Sequence, residues 1–534
     1  MLRVKSRLVN MKSDSKLRLL LEMRPALDGF AGIPQETRLL FRGLCLIDSV
    51  EVEGLLQTSL KFLAPGMDVK RNIDDTRAES VRLNRYSRVI ISLDATLSKA
   101  KIDVIFRFLK RQRVIYALFF STVLFRGRKK IETSIFESRY FESYIWQALF
   151  AKTLHSDDFG LVTDRNFRVC TVPWNVMQSV GLDLRKFGSK PIYPVLSTPD
   201  TDILIAQTPY PARVGKHTAL VVRYHDALPV FMPHAFANKS RHQATHFHAL
   251  ECNVRSGAYF ACVSESARRD LVRIFPEAED RAVTIHNMVS HQFYEEDSSP
   301  ARVCQIIRSR SNVQLKAVSG QNKLTDPNFF CEQRSEQLSF KYLLMVGTIE
   351  PRKNHSRLIS AFEYIHAEVD PSIKLVVVGS MGWDVEPVIA EMRTWIDRGQ
   401  LFVLNNVPAA DLRVLYRHAA VTICPSLAEG FDFSGVECMR SGGIVIASDI
   451  PVHREVYAEA AEYFDPYSSQ SLASVINKVL YEPDAVQLRT ALRVSGENVS
   501  LRYLPDAILP QWGAFLNRVA GAKGAGIPCE VGGV

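Results

Sequence analysis

The chain is 534 residues long, 47% hydrophobic and 23% charged, with a formal net charge of +9. That length holds two full domains and an insertion, and that composition excludes both a disordered chain and a multi-span membrane protein. The nine cysteines (Cys45, Cys170, Cys252, Cys262, Cys304, Cys331, Cys424, Cys438, Cys529) are scattered and never form a C-x-x-C pair. This argues against a disulfide framework or a structural zinc site and fits a reducing compartment.

In chain order, residues 1–16 read as a basic tail. No apolar core with a cleavage site follows Met1-Leu-Arg-Val-Lys-Ser-Arg7, so no signal peptide is expected. Residues 17–22 read as a first strand. It leads through Arg24-Pro-Ala-Leu-Asp-Gly-Phe-Ala-Gly-Ile33 into a helix from Pro34, and Gly29 and Gly32 let the backbone approach a ligand closely. Further strands are expected at 89–93, 202–206, 219–224, 259–263 and 282–286. Together they make an N-terminal doubly wound domain over 17–294, with an insertion at about 60–200.

Within that insertion the charge is concentrated. From Lys99 to Lys130 there are ten Lys or Arg and one acid, Asp103, around an apolar run at 114–125. No apolar run in the chain reaches the ~18–20 residues needed to cross a bilayer. The segment reads either as a membrane-surface element attracted to anionic head groups or as a buried element with basic ends. The stacking aromatics and Gly-rich loops of common nucleic-acid modules are absent from the pattern, so no nucleic-acid partner is expected.

Residues 295–340 are polar and patternless and read as an interdomain connection. In the C-terminal half, 341–505, short β-branched runs at 342–346, 374–378, 401–404, 421–424 and 444–447 alternate with helical patterns at 354–368, 386–398, 409–418 and 434–441. This is the signature of parallel β-α units. Ligands in such sheets bind beyond the C-terminal strand ends, so the loops from Gly347, Gly379, Asn405, Pro425 and Ser448 matter most. Residues 506–534 read as a C-terminal helix and tail. The fold class expected is α/β: two Rossmann-like doubly wound parallel-sheet domains facing a cleft.

The most informative stretch is Ala428-Glu-Gly-Phe-Asp-Phe-Ser-Gly-Val-Glu437. Glu429 follows a strand and turn, and Glu437 lies in the first turns of a helix. Free N–H groups at a helix N-terminus bind anions such as a diphosphate, and nearby carboxylates can hold sugar and ribose hydroxyls. The chemistry is that of a nucleotide-sugar site.

The strings Val346-Gly-Thr-Ile-Glu-Pro-Arg-Lys-Asn354, Val377-Val-Gly-Ser-Met-Gly-Trp383, Glu429 to Glu437, Ala447-Ser-Asp-Ile-Pro-Val-His-Arg-Glu455 and Ala461-Glu-Tyr-Phe-Asp-Pro466 resemble the donor domain of the retaining, two-Rossmann-domain (GT-B) glycosyltransferases. Bacterial mannosyl- and glucosyltransferases typify that family. The resemblance is close over about 341–490 and weaker at Tyr224-His-Asp-Ala-Leu-Pro229, Val263-Ser-Glu-Ser266 and Ile285-His-Asn-Met288. It implies that Arg352 and Lys353 clamp the donor diphosphate, that Glu437 holds the ribose hydroxyls, and that Glu429 lies near the donor sugar. A helix-capping carboxylate is the other reading of Glu429. Gly430, Phe431, Asp432 and Gly379 fall in the donor loops, and Gly32 falls in the N-terminal glycine-rich loop. His225, after a parallel strand, is implied to face the reacting sugar.

The chain departs from the family pattern at Thr348, where an Arg or small residue is usual, and at Asp432-Phe433, where Gly-Leu is usual. Asp432 reads either as a sugar contact or as the cap of a helix begun at Ser434. Asp200-Thr-Asp202 has the spacing of a metal-binding motif but precedes a strand, and is read as loop chemistry.

The resemblance implies retention at the anomeric carbon, with no cofactor and no metal, the nucleotide-sugar being a substrate. GDP-mannose is the expected donor, and the expected acceptor is a lipid-linked oligosaccharide or polysaccharide of bacterial surface-polysaccharide assembly. A UDP-sugar-dependent glucosyl- or galactosyltransferase, or a non-catalytic sugar-nucleotide-binding protein, are the alternatives. The expected location is cytoplasmic, peripheral on the inner face of the membrane.

Overall fold

The computed structural model describes residues 16–30, 32–68, 76–95, 100–124, 130–183, 191–311 and 340–524. Nearly all of the basic tail, the connection from 312 to 339, and the tail beyond 524 lie outside the described residues, as do Cys331 and Cys529.

The first half forms an eight-stranded sheet from β1 (Leu17–Glu22), β2 (Val50–Leu56), β3 (Thr133–Phe136), β4 (Phe167–Cys170), β5 (Ile203–Ala206), β6 (Ala219–Tyr224), β7 (Tyr259–Cys262) and β8 (Ala282–Thr284). Their order is β3-β4-β2-β1-β5-β6-β7-β8, parallel throughout except for the antiparallel β3–β4 edge. The second half forms a parallel six-stranded sheet from β9 (Tyr342–Val346), β10 (Lys374–Val378), β11 (Leu401–Leu404), β12 (Val421–Cys424), β13 (Val445–Ser448) and β14 (Ala461–Phe464), in the order β11-β10-β9-β12-β13-β14. Most central strands, β6 and β12 among them, are buried along their whole length, because helices cover both faces of each sheet.

The two orders fix where ligands can sit. In the second sheet β10 lies on one side of β9 and β12 on the other, so the loops after β9 and β12 diverge and leave a crevice at the strand ends. In the first sheet the same reversal occurs at β1, between β2 and β5.

Several expectations need correction. Residues 89–93 lie inside the helix Thr76–Asp94: Tyr86, Val89 and Leu93 are buried three and four residues apart, which is the helical period. The stretch at 60–200 is more than an insertion, since it supplies β3 and β4 to the main sheet. The first part of the 295–340 connection is patterned, because the helix Ala301–Arg310 buries Val303, Cys304, Ile306 and Ile307.

The backbone crosses between the halves twice, and the crossings are bonded together. Val289 N–H donates to the carbonyl of Tyr503 at 2.8 Å. The Tyr503 ring packs edge-on against both His286 and Phe431. After this point the helix Pro505–Gly524 returns to the first half and joins its core through Ile508, Trp512, Phe515, Leu516 and Val519. Trp512 is fully buried, with the Arg223 guanidinium 5.3 Å from its ring centroid. Arg223, itself fully buried, pairs with Glu36 at 2.8 Å and donates to Ile285 O and Asn287 Oδ1. No helix of the described residues is long and apolar enough to cross a membrane.

Trp512→Ala should therefore destabilise the protein by about 3–5 kcal/mol. Chemical denaturation followed by tryptophan-independent circular dichroism will check this, and a change under ~1 kcal/mol would mean that the returning helix is not part of the first core.

Candidate functional site

The loop after β9 carries Arg352 and Lys353 on a short 3-10 turn, Pro351–Lys353. Asn354 ends that turn in the left-handed conformation, and its side-chain amide donates to Pro425 O and Pro466 O, which ties the β9 loop to the β12 and β14 loops. Leu427 N–H donates to Arg352 O, and Arg352 Nη1 donates to Ala428 O. The two loops at the crevice are thus fastened to each other.

Glu429 sits opposite both cations. One of its oxygens lies 2.5 Å from Arg352 Nη1 and the other 2.6 Å from Lys353 Nζ. Its carboxylate faces cations and no helix N–H, so the helix-capping reading does not hold. Arg352 also pairs with Glu350 at 2.8 Å. Burial opposes charge on Glu429, but Arg352 and Lys353 hold its pKa below the ordinary glutamate value. The cations respond in kind: burial works against them, and Glu429 raises both pKa values. Glu350 is pushed up by its burial, with the two cations opposing the shift.

Asp432 resolves its two readings. It is the N-cap of the helix Phe433–Arg440: its Oδ1 accepts from Ser434 N–H and from the Ser434 hydroxyl. Its Oδ2 lies 3.3 Å from Nε2 of the fully buried His453. Burial opposes its ionisation, but Lys353 and His453 keep its pKa well below the usual aspartate range. Phe431 turns its ring away into packing against Phe433, Tyr503 and His286.

Glu437 is nearly inaccessible, and its partners come from both halves. Gln35 Nε2, two residues into the helix Ile33–Cys45, donates to Glu437 Oε1 at 2.7 Å, while Tyr416 Oη lies 3.3 Å from Oε2. Gly32 is the N-cap of that helix at φ +71°, a conformation that suits glycine and sets the first turn against Glu437. Burial pushes the Glu437 pKa up to about 7, against the two hydrogen bonds.

From the first half, His225 follows β6 and meets Gly430 directly: a Cβ on Gly430 would overlap the His225 carbonyl, so only glycine permits this approach. Burial and nearby Arg223 lower the His225 pKa to about 3, so the ring is neutral. Its buried Nε2 has no hydrogen-bond partner. Gly379, after β10, has no room for a Cβ because the Gly347 carbonyl lies there; its glycine is explained by packing of the loop ends. Asp202 lies at the other end of the sheet, bonded to the Arg18 backbone and side chain.

Arg352, Lys353, Glu429, Asp432, Gly430 and His225 thus converge, with Glu437 beside them. Sequence reasoning missed Gln35, Glu350 and His453 as partners. It also missed Glu455, whose carboxylate accepts from Glu265 N–H and Ser266 N–H and from His286 across the domains. Glu350, His453 and Glu455 stand inside the motif strings, but only the fold shows whom they meet.

Residues 330–498 match the family model described as glycosyl transferases group 1. Over that segment, about a third of the chain, the sequence is similar to the group 1 glycosyltransferases. Serotype-specific mannosyltransferase WbdA of Escherichia coli is 34% identical over 145 residues, which are 27% of this chain and 18% of WbdA. O-antigen chain mannosyltransferase B of Escherichia coli is 25% identical over 244 residues, 46% of this chain and 57% of that protein. The chain therefore covers less than two thirds of either relative. Among solved structures, sucrose-phosphate synthase from Thermosynechococcus elongatus superimposes with a TM-score of 0.54 at 13% identity, over 95% of this chain and 100% of that one. Anabaena HepE in complex with UDP-glucose gives 0.50 at 13% identity, over 94% and 100%. At that identity the likeness establishes the fold, two Rossmann-like domains in the GT-B arrangement.

The raised pKa of Glu437 has a sign that can be tested. The folded state keeps the proton longer than the unfolded chain, so stability falls as pH rises from about 4.5 to about 7 and stays lower above. Glu437→Gln should then be more stable than wild type at pH 8 by roughly 1–3 kcal/mol and nearly equal to it at pH 5. Melting curves at the two pH values decide; a substitution that destabilises equally at both would contradict a strained buried carboxylate.

Proposed function

We propose that the chain is a retaining mannosyltransferase that moves mannose from GDP-mannose to a lipid-linked oligosaccharide or polysaccharide acceptor in bacterial surface-polysaccharide assembly, at the inner face of the cytoplasmic membrane. The observation that carries the reading is the pairing of Arg352 and Lys353 with Glu429 at the β9/β12 crevice, facing the first half of the chain. WbdA, O-antigen chain mannosyltransferase B and RfbU, which this chain resembles over part of its length, are mannosyltransferases by name, two of them of O-antigen chains.

In this reading the donor diphosphate takes over the two cations from Glu429. Charge-assisted hydrogen bonds from Arg352 and Lys353 hold the phosphates and stabilise the negative charge that grows as the nucleoside diphosphate departs, with no metal required. Glu429, released, accepts hydrogen bonds from donor-sugar hydroxyls. The ribose hydroxyls bind Glu437, which favours its charged form. The neutral His225 hydrogen-bonds a sugar hydroxyl at Nε2. Glu429 is then occupied by the sugar hydroxyls and Asp432 by the helix it caps, so the transfer runs without a carboxylate nucleophile. The acceptor oxygen attacks the anomeric carbon on the face the diphosphate leaves. The bond to the phosphate oxygen breaks, and that oxygen takes the acceptor proton.

Lys353→Ala should lower kcat/KM about 100- to 1000-fold while leaving the fold intact. A mass-spectrometric donor screen with lipid-linked acceptors, run on wild type and on this variant, is the test. Transfer from UDP-glucose but not GDP-mannose would overturn the donor assignment, and full activity in Lys353→Ala would overturn the site.

A further inference from the structure

The basic segment near residue 100 folds into one long helix, Lys101–Leu124, which leans on the helix Trp174–Leu182. In its second half the inner face is closed: Ile115 is buried with Val176 and Val180, with Val114, Leu118 and Phe119 packed around them, while Val104 and Phe108 on the same side stay exposed nearer the N-terminus. Arg111 is tied inward by donating to Ser179 Oγ at 2.6 Å, and Lys110 lies 4.6 Å over the Phe62 ring.

The outer face is the unusual one. Ile102, Ile105, Phe106, Leu109, Tyr116 and Phe120 are spaced by three, one, three, seven and four residues, so they fall on one side of the helix within about a third of its circumference. All six are exposed, from 47% for Tyr116 to 66% for Phe106. The stripe is about 27 Å long at 1.5 Å per residue. Single exposed apolar side chains are ordinary on a protein surface, but a continuous stripe of this length is not.

We propose that this stripe is the seat of an anionic lipid bilayer, with the helix lying in the head-group plane. The charge on the same helix selects that occupant. Lys101, Arg107, Lys110, Arg111 and Arg113 face one acid, Asp103, which leaves a net charge of +4. Arg113 lies within the stripe itself and is exposed, where a long cationic side chain can reach head groups while its stem stays among apolar atoms. Pairing the stripe with that of a second copy would press two helices of this charge together, which disfavours self-association. Attraction to acidic lipid adds to apolar insertion. The supporting helix also relates the stripe to the cleft: Trp174 N–H donates to Thr58 O, just past the C-terminal end of β2, the sheet edge that faces the other domain. The surface lies outside the donor site and stands independently of the transfer reaction.

The test is co-sedimentation of the full chain with phosphatidylcholine vesicles with and without phosphatidylglycerol. Wild type should bind the phosphatidylglycerol vesicles and be released at high salt. The triple variant Ile102→Ser, Phe106→Ser, Leu109→Ser should bind them roughly tenfold more weakly or worse, while Ile91→Ser, an exposed apolar residue on the helix Thr76–Asp94, should bind as wild type does. Should the triple variant melt early, Lys101→Glu with Arg113→Glu tests the charge alone and should give a similar loss. Equal binding to both vesicle types, or unchanged binding by the triple variant, would overturn the proposal. So would a wild-type dimer in light scattering that the triple variant abolishes, since the stripe would then be a seam between copies.

Discussion

Two cations that cannot be left unpaired organise the crevice between the β9 and β12 loops. Arg352 and Lys353 stand at the end of β9 with little access to water, and removing a charge from water costs several kcal/mol unless a partner answers it. The second domain answers with its own acids: Glu350 beside Arg352, Glu429 across both, and Asp432 further along the Lys353 field. Such an arrangement holds a folded site and a latent anion site in the same atoms. A ligand that brings its own negative charge can take the place of Glu429, while Glu350 keeps Arg352 in position. The β9 and β12 loops that present these groups are joined by the bond from Leu427 N–H to Arg352 O and by that from Arg352 Nη1 to Ala428 O, which holds the cations and Glu429 in register at the strand ends.

The second constraint is the contact between the two halves. Gly430 meets the His225 carbonyl, Gln35 reaches Glu437, Glu455 caps the helix Glu265–Ile274, and Trp383 Nε1 donates to Ala235 O. All four lie on loops or helix starts beyond strand ends, and the crossing bond from Val289 to Tyr503 lies beside them. Glu437 is the sensitive point: it is buried against Gln35 with a pKa near 7, a carboxyl that resists ionising. In the proposed reading, a ribose diol would offer that carboxylate two donors in place of one amide and so link nucleotide binding to the position of the helix Ile33–Cys45.

The second sheet was legible because its strands are short, largely buried and separated by helices of ordinary length; β10, β11 and β12 carry the bounds that their apolar runs mark in the sequence. The first sheet was less so. Val50–Leu56 alternates with glutamates and glycine and gives no continuous apolar run, and residues 89–93 look like a strand only when cut out of the longer helical period that includes Tyr86. At the site, the pair of carboxylates in one short stretch singled out Glu429, the family resemblance singled out Arg352 and Lys353, and an aspartate two residues ahead of Ser434 was already a candidate cap. The bond from Gln35 to Glu437 joins residues 402 apart, and no local pattern marks such a pair. The basic segment shows the same limit from the other side: its composition raised both a buried and a surface reading, and the helix satisfies each on a different face.

The central claim is that Arg352 and Lys353 form a seat for a diphosphate that displaces Glu429. Calorimetric titration of nucleoside diphosphate against nucleoside monophosphate, GDP against GMP and UDP against UMP at one ionic strength, tests it most directly. The account predicts that the preferred base binds at least about tenfold more tightly as the diphosphate, and that Lys353→Met removes this preference. Equal affinity for mono- and diphosphate in the wild type would contradict it.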